Sequence, residues 1–357
     1  MSAPHRARAV IQTRRARRLT GVFTSALCLA LGWGAVACSK EQEVITKTGA
    51  DVTTDLDADP LALLPSGAVG MLVVDAKVLH ASDLGQRVER LLSQRVPVPP
   101  SANFEPKRDL ERLYIGFYSM TGVDVAAAAV GSFDPAAIEA AADGVTVTPT
   151  GAPLVKQTYS GHTLYVSNNL GFVVLSRRTA LFGNETGMRR VLDRIADGRV
   201  KREVPSWMGD LLGSSAPVIG GANLVEQDVV SAVSDQFPFL KGMQSVRVLG
   251  NFEPPGMHLA GTSVYAEEEQ ATNGASSLLA LHEVWASMSW LTSLFGLSNP
   301  VKKLEAQAEG KESKFVAAVD SEALGGLFDQ LSNFLGVPPQ PKVIDATLTP
   351  GVKDEGP

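Results

Sequence analysis

The chain breaks into many short extended runs, and this limits its fold more than any bulk property does. Apolar or alternating runs end in Gly, Pro, Asn and Ser turns, and stretches with helical spacing separate them. Val69–Asp75 predicts a buried strand, and Ser82 predicts the cap of a helix in which Leu84, Val88, Leu91 and Leu92 share a face. After a proline-rich loop at Val96–Pro106, strands are predicted at Leu110–Ser119 and Val123–Phe133, then a helix at Ala136–Ala142 opened by Asp134-Pro135. Strands at Leu154–Tyr159, His162–Ser167 and Gly171–Ser176 follow, turned by Ser160-Gly161 and Asn168-Asn169, before a helix at Gly187–Ala196 that stops at Gly198.

The rest of the chain replays this order. Strands are predicted at Pro217–Leu224, Val246–Phe252 and His258–Tyr265, with helices at Asp228–Phe237 and Glu267–Phe295. A hairpin, Lys303–Glu309 with Lys314–Val319, turns at Gly310-Lys311, and Ser321–Leu335 is a last helix. We read two duplicated halves, residues 60–203 and 204–335, with the boundary near Val204–Ser215. The fold class expected is α+β, antiparallel sheets with helices packed on one face.

Residues 1–37 have the three parts of an export signal: an arginine-rich stretch to Arg18, an apolar stretch Leu19–Ala37, and small residues at its close. The segment ends Gly34-Ala35-Val36-Ala37-Cys38, and here the chain resembles bacterial lipoproteins. The resemblance implies that the Cys38 thiol takes a diacylglycerol, that the bond before it is cut, and that the new amine is acylated, palmitate being a typical chain. It also implies that Ser39, where an Asp often retains such proteins at the inner membrane, directs this one to the outer membrane. The family more often has Leu at the position of Ala35, so cleavage without lipidation is an alternative, as is an uncleaved anchor. A second, shorter resemblance, to uncharacterised exported bacterial proteins, lies in Leu63-Leu64-Pro65-Ser66-Gly67-Ala68 and the strand ending Val74-Asp75; it implies no activity.

Removal of that segment changes the charge. Its six arginines leave 26 cations against 38 acids, a net charge of −12, which opposes binding to nucleic-acid phosphates. Cys28 leaves with the signal, so Cys38 is the remaining thiol and no internal disulfide is expected. Residues 38–59 read as a flexible acidic tether, and 336–357, rich in proline, as a disordered tail.

Sequence motifs for catalysis are missing. His80, His162, His258 and His282 lie far apart, and His282-Glu283 lacks the second histidine of a zinc-protease helix, with Ala286 in its place. Gly261-Thr262-Ser263-Val264-Tyr265 lacks the closing glycine of a nucleophile elbow. Asp55-Leu56-Asp57-Ala58-Asp59 starts like a calcium loop, but Pro60 stands where glycine must turn the chain. We expect no metal, no cofactor and no catalytic residues.

Two surfaces carry interest. Arg177, Arg178, Arg189, Arg190, Arg194, Arg199, Lys201 and Arg202 form a basic stretch in an acidic protein, a solvated helix face or a contact for anionic lipid headgroups. Leu278, Leu281, Trp285, Met288, Leu291 and Phe295 recur at helical spacing, as core or as a hydrophobic groove. The functional expectation is a membrane-anchored, non-catalytic envelope protein that binds or scaffolds a protein or lipid partner. A carrier of a hydrophobic ligand using helix 267–295 and a hydrolase with a dispersed site are the alternatives.

Overall fold

The computed structural model describes residues 56–85, 88, 102–120, 124–145, 147–148, 151–225, 227–287 and 299–325. The signal segment, Cys38, most of the expected tether and the expected tail lie outside them. The expectation of an α+β fold holds: one antiparallel sheet of twelve strands runs through the body, with helices against it.

In chain order the strands are β1 (Gly70–Asp75), β2 (Leu110–Phe117), β3 (Val125–Gly131), β4 (Val155–Tyr159), β5 (His162–Ser167) and β6 (Leu170–Val174). They continue as β7 (Thr179–Asn184), β8 (Val218–Asn223), β9 (Met243–Asn251), β10 (Gly256–Tyr265), β11 (Val301–Glu309) and β12 (Glu312–Asp320). Across the sheet they lie β11-β12-β10-β9-β8-β1-β2-β3-β7-β6-β5-β4. Residues 60–203 and 204–335 therefore meet at a seam, the antiparallel pair β1–β8, in which Leu72 faces Gly220 and Val74 faces Val218. Outward from that seam, each side runs through two consecutive strands before a long connection returns the chain to the sheet.

Among the described residues the helices of six residues or more are α1 (Ala76–Ala81), α2 (Pro135–Asp143), α3 (Glu185–Ala196), α4 (Asp228–Val233) and α5 (Glu268–Ser287). They do not all lie on one face. In β3, Ala126 and Ala128 pack with Met188, Val191 and Leu192 of α3, whereas Ala129 packs with Ile138 and Ala142 of α2 on the opposite face. Alternate residues of a strand point to opposite faces, so the sheet is sandwiched there. At the other end α5 covers one face of β10–β12, and the other face presents exposed Lys303, Glu305, Gln307, Lys314 and Val316.

Local chemistry sets the element ends. Asp134 accepts a hydrogen bond from the Ala137 N–H (3.1 Å), with Pro135 in the first turn of α2. Asn184 accepts from Gly187 N–H (3.2 Å) at the start of α3 and also from Val125 N–H (3.0 Å), tying the cap to β3. Helix α1 was not anticipated: Asp75 caps it through Val78 N–H (3.0 Å), and Ser82 closes it. Of the helix expected after Ser82, Gly85 and Val88 are helical, and Leu91 and Leu92 lie outside the described residues. The last strand of the first meander, β7, was not anticipated. The helix expected at Glu267–Phe295 is described as far as Ser287, and that at Ser321–Leu335 over 321–325.

Candidate functional site

A cavity of about 230 Å³ opens at the seam, over β8, β1 and β2. Period-two alternation puts Val73 and Asp75 of β1, Arg112 and Tyr114 of β2, and Ile219 of β8 on one face, since Val73 faces Tyr114 and Ile219 while Asp75 faces Arg112. Leu61 of the 3₁₀ turn Pro60–Leu63, Arg202 and the segment Leu212–Pro217 complete the walls. Leu61, Val73 and Ile219 are buried and give an apolar floor; Asp75, Tyr114 and Ser214 are half-buried, and Arg112 and Arg202 are exposed.

The charged groups are held from behind. Asp59 grips Arg202 through two hydrogen bonds, to Nε (2.9 Å) and Nη2 (2.8 Å), and so raises the guanidinium pKa above its ordinary value. Arg112 donates one long bond to Asp75 Oδ2 (3.4 Å). Burial works against the Arg112 charge, but Tyr114 and Asp75 outweigh it, and its pKa is raised. Asp75 Oδ1 is committed to the α1 cap, and Ser214 Oγ accepts from Ala216 N–H (3.1 Å). The cavity thus presents two guanidinium groups, a carboxylate, a phenol and a hydroxyl over an apolar floor. It can bind a small polar or charged group by hydrogen bonds.

The basic stretch is dispersed and mostly neutralised by acids of the same body. Arg178 forms a fork with Glu111 (2.7 and 3.2 Å), and Lys77 joins at 3.1 Å; these partners hold the Glu111 carboxyl down at about 2. Arg189 pairs with Glu185 (2.6 Å) and lies over Tyr159, rather than pairing with Asp193, which binds the Tyr159 hydroxyl. Arg190 binds Asp124 and lies over Tyr118, whose hydroxyl donates to Pro65 O (2.9 Å) and whose pKa burial pushes up. Arg194 is buried, donating to Lys201 O (2.9 Å) and contacting Glu203 (3.3 Å) and Ala62 O (3.4 Å), so it fastens α3 to the 3₁₀ turn. Arg199 pairs with Asp197. Arg177 and Lys201 are exposed and make no ion pair among the described residues. Of the eight, Arg202 alone lines the seam cavity.

The hydrophobic stripe is split. Leu278, Leu281 and Trp285 are half-buried on α5, and Met288, Leu291 and Phe295 lie outside the described residues. The buried face of α5 is made of Ala271, Gly274 and Ala275. A Cβ on Gly274 would meet the Tyr265 hydroxyl oxygen at 2.2 Å, so the helix approaches β10 closely there. Cys38, the expected lipidation site, lies outside the described residues. The acidic Asp55–Asp59 motif is no cation loop in its described part: Asp57 accepts from Ser176 and Thr179 hydroxyls (both 2.6 Å), and Asp59 holds Arg202.

The four histidines among the described residues sit on separate elements, His80 in α1, His162 in β5, His258 in β10 and His282 in α5. Burial lowers the pKa of His162. Among the described residues no group of three His, Cys, Asp or Glu side chains could hold a metal ion, and no helix is long and apolar enough to cross a membrane. Sequence reasoning missed Asp75, Arg112, Tyr114 and Ser214. The available signal was in Leu110–Tyr114, where Arg112 and Tyr114 share the face that a half-buried strand usually gives to apolar residues.

No protein-family description matches the chain, and no curated protein matches it. Solved structures resembling it are crystal form I of TP0453 (12% identity, TM-score 0.48, covering 77% of this chain and 98% of that one) and crystal form III (13% identity, TM-score 0.48, 76% and 98%). At that identity and score the likeness assigns no activity, ligand or site to this chain.

Proposed function

We propose that this chain is a lipid-anchored, non-catalytic protein of the bacterial envelope that binds or scaffolds another envelope component, with the outer membrane as its address. The observation that carries the reading is the apolar stretch Leu19–Ala37 closed by Ala35-Val36-Ala37 and followed at once by Cys38. Three acyl chains on one residue would make attachment effectively permanent, since each buried methylene contributes about 0.8 kcal/mol. The body is consistent with such a tether. Its first described residues are fastened by Asp57 to the β6–β7 turn and by Asp59 to Arg202. An anchor would therefore hold the sheet by the end at which β1 stops at Asp75.

Mass spectrometry of the mature protein is the test. We expect a chain beginning at Cys38 with thioether-linked diacylglycerol and an acylated amine, and expect Cys38→Ser to accumulate as precursor or to leave the membrane fraction. A mature chain with an unmodified Cys38 overturns the reading.

A further inference from the structure

We infer that the seam cavity is a binding site for a small apolar zwitterion, an α-amino acid with a side chain of leucine's size. The inference deepens the binding reading above by naming a ligand class, and rests on it only for where the ligand would be met.

Charge decides the ligand's chemistry. Arg112, Arg202 and Asp75 line the cavity together, and Asp59 balances Arg202 from behind. A dianion would be repelled by Asp75, and a cation by the two guanidinium groups. A ligand carrying both signs a few bonds apart meets neither repulsion: its carboxylate accepts from Arg112 and Arg202, and its ammonium donates to Asp75. The donors for the first contact are present. Asp59 takes Nε and Nη2 of Arg202, which leaves Nη1, and Asp75 takes a single long bond from Nη2 of Arg112 at 3.4 Å. That bond joins half-exposed groups, so opening it to admit a ligand costs little.

Shape decides the rest. The floor is Leu61, Val73 and Ile219 with Leu212, Ala216 and Pro217 beside it, an apolar surface for an aliphatic side chain. At about 230 Å³ the cavity is below the usual range for drug-sized ligands, ~300–1,000 Å³, and has no room for a long acyl chain. It also joins the two halves, since β1 and β2 precede the boundary and β8 follows it. A bound amino acid would brace the seam.

Calorimetry on the full-length protein in detergent tests this with three probes of one carbon skeleton: L-leucine, isocaproate without the amine, and isoamylamine without the carboxylate. We expect leucine to bind and each analogue to bind more than ~10-fold more weakly, because a site built for a polar group rejects a ligand that lacks it. Asp75→Asn keeps a capping side chain for α1, so it should melt as the wild type does while losing the preference for leucine over isocaproate. Arg112→Gln should lose the preference for leucine over isoamylamine. No heat of binding with leucine, equal affinity for leucine and isocaproate, or leucine affinity unchanged in both variants overturns the inference. An unmodified Cys38 bears on the anchor alone, so the two readings fail separately.

Discussion

The two ends of the one sheet are built differently. Around β3, β6 and β7 the strands are covered on both faces, by α3 on one and α2 on the other, and their sequences run continuously apolar: Val125-Ala-Ala-Ala-Ala-Val130 and Ala180-Leu181-Phe182. Around β11 and β12 only the α5 face is covered by a helix among the described residues, and β11 alternates as Val301-Lys-Lys-Leu-Glu-Ala-Gln-Ala-Glu309. The period of a strand thus reports how many of its faces are covered, not only that it is a strand. Four successive alanines in β3 also keep the strand thin, so that helices can approach from both sides.

This contrast makes core truncations unequal. Leu192 of α3 is fully buried between helix and sheet, so Leu192→Ala should cost about 2–5 kcal/mol. Leu304 of β11 is half-buried under α5, and Leu304→Ala should cost about 1–2 kcal/mol. Urea unfolding of both variants checks the pair. Equal losses would break the comparison and show that the open end is as tightly packed as the sandwiched one.

Helix attachment differs in the same sense. α3 is fixed by a polar group: Asn184, buried at its cap, serves Gly187 N–H and Val125 N–H together. Asn184→Ala should cost about 2–3 kcal/mol, the cap plus an unpartnered buried amide on β3. α5 is fixed by shape, with Gly274 against Tyr265, whose hydroxyl donates to Phe239 O (2.8 Å). Gly274→Ala should cost about 1–3 kcal/mol through displacement of that ring. Thermal melting with near-ultraviolet circular dichroism separates them: the glycine variant should perturb the tyrosine signal, and the asparagine variant should leave it.

Much of this was legible beforehand, where a local rule decides. The turns Ser160-Gly161 and Asn168-Asn169 have the positive φ values that their residue types favour, and Asp134-Pro135 opens α2. Local rules failed where one residue serves two elements. Asp75 ends β1 and caps α1, and reading it only as a strand end left α1 unseen. β7 was lost because Arg177-Arg178 separates it from β6 and its three central apolar residues are too few for a period. The helices were assigned to one face because the continuous runs of β3 and β6 were taken as strands without asking what covered each side. The seam cavity was illegible for another reason: its walls come from 61, 73–75, 112–114, 202 and 212–219, which only the sheet order brings together.

The smallest effect expected is a difference in acid response between the two ends. Glu111 on β2 receives Arg178 from the β6–β7 turn and Lys77 from α1, so three elements of the sandwiched half meet on one carboxylate, held at about 2 against an ordinary 4.5. A carboxylate with a lowered folded-state pKa stabilises the fold above its unfolded pKa, and that contribution disappears as pH falls from 4.5 through about 2. The side chains are 31% to 60% exposed, so solvent screening keeps the contribution under about 1 kcal/mol. Glu309 in the open half has its pKa lowered by Lys314 alone, and both side chains are mostly exposed. Glu111→Gln should therefore lower the melting temperature at pH 6 and narrow its gap from the wild type as the pH falls toward 2, whereas Glu309→Gln should track the wild type throughout. A Glu111→Gln deficit that stays constant with pH would mean that its side chain acts by packing rather than by charge. The three-element junction would then be a steric contact, and the electrostatic part of the contrast between the two ends would fall with it.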